Sequence, residues 1–200
     1  MSLLKRRDKL AVALAAAGFL FGMGAALAQA KPSMQQRFSV CTACHGEGGI
    51  STQPLVPSLA GQPSFYAITQ LFLFREGRRG NEVMTAMAKG MSDDDLRAFS
   101  DFIDQLPPPP PPETPADPQR MARGEALAQR HHCAGCHGVD YAGGKQVARL
   151  ARQREDYLAQ TLQQFHAGQR LGYTQAMNEA LAGIPREALL DLAYFLAHQP

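Results

Sequence analysis

Apolar residues recur along the chain at helical rather than strand spacing. Ser64 can cap a helix that ends near Gly77, with Phe65, Ile68 and Phe72 on one face. Ser92 can cap another, in which Leu96, Phe99, Ile103 and Leu106 fall on one stripe. Ser33 can cap a helix that runs up to Cys41. In the second half, Asp117-Pro118 opens a helix, residues 155–167 form one that stops at Gly168, and residues 186–198 form the last. No segment alternates convincingly as a strand, so the pattern predicts an all-α protein.

The halves repeat. At an offset of 91, Leu59, Ala60, Gln62, Tyr66, Leu71, Phe74, Gly77 and Arg79 fall on Leu150, Ala151, Gln153, Tyr157, Leu162, Phe165, Gly168 and Arg170. After a short insertion the offset is 93, and Phe99, Phe102 and Ile103 fall on Leu192, Phe195 and Leu196. Two copies of one domain are expected, residues 31–106 and 119–200. Residues 107–118 join them and begin with the six prolines Pro107 to Pro112. Such a run is extended and stiff, reaching about 19 Å at ~3.1 Å per residue, and reads as an interdomain spacer.

Lys5-Arg6-Arg7-Asp8-Lys9 followed by an apolar stretch from Leu10 to Ala28 reads as a secretory signal peptide covering residues 1–30. Cleavage is expected near Ala28 or Ala30, and a retained membrane anchor is the alternative, since the stretch is nearly long enough to span a bilayer. The leader carries a net +3, leaving −1 for residues 31–200. Nothing in that balance asks for nucleic acid. Residues 31–106 carry −1 and residues 119–200 carry +2, a gradient that can orient the molecule toward a charged partner.

All four cysteines lie in two pentapeptides, Cys41-Thr42-Ala43-Cys44-His45 and Cys133-Ala134-Gly135-Cys136-His137. In an exported chain four cysteines could form two disulfides, and a Cys-x-x-Cys pair alone could be a redox dithiol or half a zinc site. The histidine directly after each pair favours covalent c-type haem: two thioethers fix a porphyrin edge and the next residue brings an imidazole to the iron. Two haem c groups are expected, held by Cys41 and Cys44 and by Cys133 and Cys136, with His45 and His137 on the irons, one haem among about three main helices in each half.

The sixth ligand decides what such irons do. An open site binds gases or activates peroxide, whereas methionine closes the iron and raises its potential. Met177 is the one methionine after His137 in the second half, while Met84, Met87 and Met91 follow His45 in the first. At the offset of 93, Met84 falls on Met177, Met87 on Ala180 and Met91 on Ile184. Met84 and Met177 are therefore the expected ligands, and Met87 and Met91 are expected to be packing. Among the other histidines, His131 and His132 abut the second motif without being ligands, and His166 reads as a surface residue.

With these pieces in place, residues 31–200 resemble the cytochrome c4 family, built from two class I cytochrome c domains. The resemblance rests on the paired motifs, on Pro57-Ser58-Leu59-Ala60-Gly61-Gln62 with Tyr66 and Phe74-Arg75-Glu76-Gly77-Arg78, and on Met84 seven residues before Met91-Ser92-Asp93-Asp94-Asp95. It implies a periplasmic one-electron carrier, not an enzyme, whose redox protein partners are membrane respiratory complexes, often leading to a terminal oxidase. The membrane surface would then be met through those partners, and the oligomeric state stays open. It also implies that the Pro57 carbonyl orients His45; the second half departs by having Ala148 in that place and Arg152 where the first has Gly61. Two other readings are carried: a dihaem electron-accepting subunit of a periplasmic dehydrogenase, of the flavocytochrome sulfide dehydrogenase type, and an open-iron peroxidase or gas sensor.

Overall fold

A computed structural model describes residues 31–170 and 175–200. The leader and both expected cleavage sites lie outside the described residues. Nine α-helices and two 3-10 turns make up the regular structure among them: α1 (Met34–His45), α2 (Ser64–Arg75), α3 (Glu82–Ala88), α4 (Asp93–Gln105), α5 (Pro118–Arg130), α6 (Ala134–His137), α7 (Glu155–His166), α8 (Ala176–Leu181) and α9 (Leu189–Ala197). No strand is formed among the described residues; a lone backbone bridge joins Gly144 to Val147.

Three of the expected helix starts follow their side chains. Ser33 accepts from the Gln36 amide at 3.2 Å while the Gln36 side chain accepts from the Ser33 amide at 2.8 Å, a reciprocal cap that fixes α1. Ser92 and Asp95 repeat that exchange at the start of α4. Asp117 caps α5 through the amides of Gln119 and Arg120, with Pro118 in the first turn, where its missing N–H costs nothing. α2 differs from expectation. Pro63 occupies the cap position, Ser64 is already helical, and its hydroxyl donates to Asp101 on α4 at 2.5 Å. The buried face of α2 is Ala67, Gln70, Leu73 and Phe74, while Phe65 is 60% exposed and Phe72 39%. The expected apolar face is therefore turned outward. Spacing alone could not decide this, because α2 is apolar on more than one side.

Each half is assembled in the same order. α1 meets α4, and α2 packs on both α3 and α4. In the second half α5 crosses α9, and α7 packs on both α8 and α9. The first core centres on Phe38, Ala67, Phe99 and Ile103, with Cys41, Leu59 and Met91 packed against it. The second gathers Leu158, Leu162, Phe165, Leu181, Ile184, Leu192 and Leu196, with Cys133, Leu150 and Met177 against it. Met91 thus packs as expected, whereas Met87 is 43% exposed and is not core, because it lies on the outer side of a two-turn helix.

Residues 32–200 form one unit by their contacts, and the proline run does not hold the halves apart. It has no regular structure from Pro107 to Pro112, as a proline run should not. Yet Pro109 is buried, and its carbonyl accepts from Arg152 of the second half at 3.2 Å. Pro108 lies against Gly61 of the first half. The expected spacer is a strap laid over the seam between the halves.

Candidate haem sites

In the first half the motif lies within the end of α1, which carries Cys41, Cys44 and His45; in the second Cys133 occupies the cap position of α6, and Cys136 and His137 end that helix. None of the four thiols is in a disulfide; Cys41 and Cys133 are half-buried, Cys44 and Cys136 exposed. Burial pushes the Cys41 and Cys133 thiols up from their ordinary range. Both histidines are buried. His45 Nδ1 donates to the carbonyl oxygen of Pro57 at 2.8 Å, and His137 Nδ1 to that of Ala148 at 2.9 Å. A carbonyl can only accept, so Nδ1 carries the proton and Nε2 keeps its lone pair for a metal. Burial holds both imidazoles below the ordinary histidine range, keeping that lone pair available. Two thiols outside any disulfide and a buried imidazole with its Nδ1 engaged are the donors that covalent haem requires, and each half carries a methionine further along, so the residues fit the group.

The candidate sixth ligands occupy matching elements. Met84 is the third residue of α3, half-buried, with its amide donating to the Asn81 side chain at 2.9 Å. Met177 is the second residue of α8, half-buried, on the core that also receives Cys133. Asn178, beside it, donates to the Phe165 carbonyl of α7 at 2.9 Å and ties α8 down. His166 is exposed, as expected.

The seam between the halves carries residues that the sequence marked only as repeat landmarks. Gln62 and Gln153 are equivalent in the repeat, as are Ser58 and Arg149. Gln153 accepts from the Ser58 amide and donates to the Ser58 carbonyl, both at 2.8 Å. Gln62 accepts from the Arg149 amide at 3.1 Å and donates to the Arg149 carbonyl at 3.0 Å. Beside them Arg79 donates to Tyr157 Oη at 2.9 Å and to Gln70 at 2.6 Å. Burial pushes the Tyr157 phenol up, but the charges of Arg79 and Arg170, which also bond its oxygen, outweigh it and hold it at about 8. Asp156 accepts from the Leu55 amide at 3.0 Å, and Arg154 donates to the Ser51 carbonyl at 3.3 Å, completing a polar interface. The available signal was a polar residue retained at the same register in both halves amid apolar neighbours.

A repeated helical fold with two Cys-x-x-Cys-His sites in one unit defines a class, the dihaem c-type cytochromes. The family model for cytochrome c matches residues 24–107 and again 121–199. The chain is 36% identical over 155 residues to cytochrome c4 of Thiocapsa roseopersicina, covering 72% of this chain and 78% of that protein. It is 31% identical to a thiosulfate dehydrogenase electron acceptor of Thiomonas intermedia, covering 94% of this chain and 90% of that one. The crystal structure of reduced recombinant cytochrome c4 from Pseudomonas stutzeri superposes with a TM-score of 0.76 at 27% identity, covering 83% of this chain and 96% of that chain. The chain belongs to the cytochrome c4 family. It is an electron-transfer protein with two cytochrome c domains and two covalent haem c groups.

Proposed function

We propose that the chain is an exported, periplasmic carrier of single electrons between respiratory complexes, with a terminal oxidase as one acceptor. Its domains are residues 31–106 and 119–200. Haem c, when bound, supplies a one-electron iron couple. Cys41 and Cys44, and Cys133 and Cys136, would attach it, and His45 with Met84 and His137 with Met177 would supply the iron ligands. Thioether ligation would leave no open position for small molecules and would favour the reduced state, which suits a carrier rather than an enzyme. The observation that carries the reading is the doubling of one complete donor set, with both histidines fixed through Nδ1, in halves joined by a hydrogen-bonded seam.

The dehydrogenase-subunit reading gains from the Thiomonas relative, whose name ties it to thiosulfate oxidation rather than to a flavocytochrome. The two exposed phenylalanines of α2 are consistent with a docked partner. One experiment separates the readings. Native extract is fractionated by size, and the haem protein is assayed for reoxidation by oxidase-containing membranes and for thiosulfate-dependent reduction. A free carrier elutes alone and is reoxidised in air by the membranes in a cyanide-sensitive way. Stable co-elution with thiosulfate-reducible activity would replace the shuttle by the subunit. Ready binding of CO by the reduced, unmodified protein would sink both.

A further inference from the structure

The peptide unit that holds each candidate haem ligand is itself held by the other half of the molecule. The Pro57 carbonyl, which accepts from His45, and the Ser58 amide belong to one peptide group; that amide donates to Gln153 Oε1 at 2.8 Å. The Ala148 carbonyl, which accepts from His137, shares its peptide group with the Arg149 amide, which donates to Gln62 Oε1 at 3.1 Å. An amide N–H can only donate, so the oxygen of each glutamine must face it. Gln62, Gln153 and Ser58 are all buried. Each glutamine also donates to the next carbonyl of the same segment, so it grips that segment at two points.

We propose that Gln153 and Gln62 are crossed positioning residues, each setting the potential of the haem in the opposite half through the peptide that orients its histidine. This rests on the reading of His45 and His137 as iron ligands. Hydrogen-bonded peptides polarise one another: an accepted N–H makes the carbonyl of the same group more negative. A more negative carbonyl draws harder on the Nδ1 proton and makes the imidazole a stronger donor to iron. A stronger donor favours the oxidised iron and lowers the potential. Gln153 therefore lowers the potential of the first haem and Gln62 that of the second. Neither effect depends on the glutamine touching the haem in its own half.

The test uses the full haem-loaded protein, Gln153→Met and Gln62→Met, which keep side-chain length without the amide. Proton NMR resolves the haem methyls of each half during a redox titration and, in the reduced state, the Nδ1 protons of His45 and His137. Ring-current-displaced Nδ1 protons in the unmodified protein are read first; if they are absent, histidine ligation fails and the inference goes with it. With ligation established, Gln153→Met should move the His45 proton upfield and raise the first potential, leaving the second nearly unchanged. Gln62→Met should give the mirror image. Gln153→Glu, which still offers oxygen to Ser58, should restore the His45 proton toward its native position. A shift confined to the mutated half, equal shifts in both, or no shift would overturn the crossed assignment while leaving the ligands intact. If the methionine variants fail to hold their fold, amide exchange in the unmodified reduced protein decides. Ser58 and Arg149 should exchange among the slowest loop amides, and rapid exchange at both would overturn the proposal.

Discussion

The halves follow one backbone path but reach it with different residues. The carbonyl that orients the histidine comes from Pro57 in the first and Ala148 in the second, at 2.8 and 2.9 Å. The left-handed residue four positions further on is Gly61 at φ +68° in one and Arg152 at φ +61° in the other. The helix into the motif is continuous in the first half, whereas the second breaks at His131-His132 and resumes as α6. What both halves keep is a carbonyl at one place and a turn at another. Side chains are interchangeable there as long as the main chain arrives. Ala148 shows that proline is dispensable for supplying an oxygen; proline's fixed φ would restrain the segment, and in the second half Gln62 grips the same segment from across the seam.

The ligand methionines offer the largest test of this equivalence. Met84→Ala and Met177→Ala should each open one iron to CO, lower one potential and remove half of the far-red sulfur-to-iron band. Met87→Ala should leave both irons closed. With Met87 43% exposed, its removal should change stability by no more than about 0.5 kcal/mol. An iron opened by Met87→Ala but not by Met84→Ala would show that the repeat register misassigns the first half alone.

Helix crossings should show a smaller but clear asymmetry. Gly124 lets α5 approach α9 so closely that an added Cβ would meet the Asp191 carbonyl oxygen at 2.3 Å and Phe195 Cβ at 2.4 Å. α1 contains no glycine, so the first half does not use this close approach. Gly124→Ala must push backbone from backbone and should cost about 3 kcal/mol. Gly61→Ala places a Cβ 3.1 Å from Pro108 at φ +68°, which should cost about 1–2 kcal/mol and loosen the strap. Denaturant titrations followed at the haem bands give both values; equal costs would mean that the α5–α9 approach yields as easily as the strap.

Much of this was legible beforehand. Ser33, Ser92 and Asp117 announce their helices because a cap is a local hydrogen bond between near neighbours in the chain. The repeat fixed which methionine to compare with which, and the motif fixed the thiols and histidines to examine. Local signals could not say which side of α2 faces inward, because Phe65 and Phe72 satisfy the same helical spacing as the residues that are buried. Nor could they show that the proline run lies on the seam: stiffness is a property of the run, but its placement depends on Gly61 and Arg152, far away in sequence. The glutamine contacts are equally non-local. Their only trace was a polar residue retained in both halves where neighbouring matches are apolar.

The smallest effect tests whether the left-handed turn is equally satisfied in both halves. Arg152→Gly installs the first half's solution in the second. At φ +61° a residue with a Cβ carries about 1–2 kcal/mol of strain that glycine lacks. Against this, glycine adds about 0.4–1 kcal/mol of unfolded-state freedom. The bond from Arg152 to the Pro109 carbonyl, 3.2 Å, is also lost. A hydrogen bond of this kind contributes about 1 kcal/mol or somewhat more. The terms oppose each other, so the net change in stability should stay within about 1 kcal/mol. The strap should respond more than the fold does: limited proteolysis beside the proline run should accelerate, because the side chain that holds Pro109 has gone. A loss above about 2 kcal/mol would show that Arg152 fastens the second half to the strap. A gain of that size would show that its bond to Pro109 contributes nothing, and that the second half tolerates strain which the first half avoids.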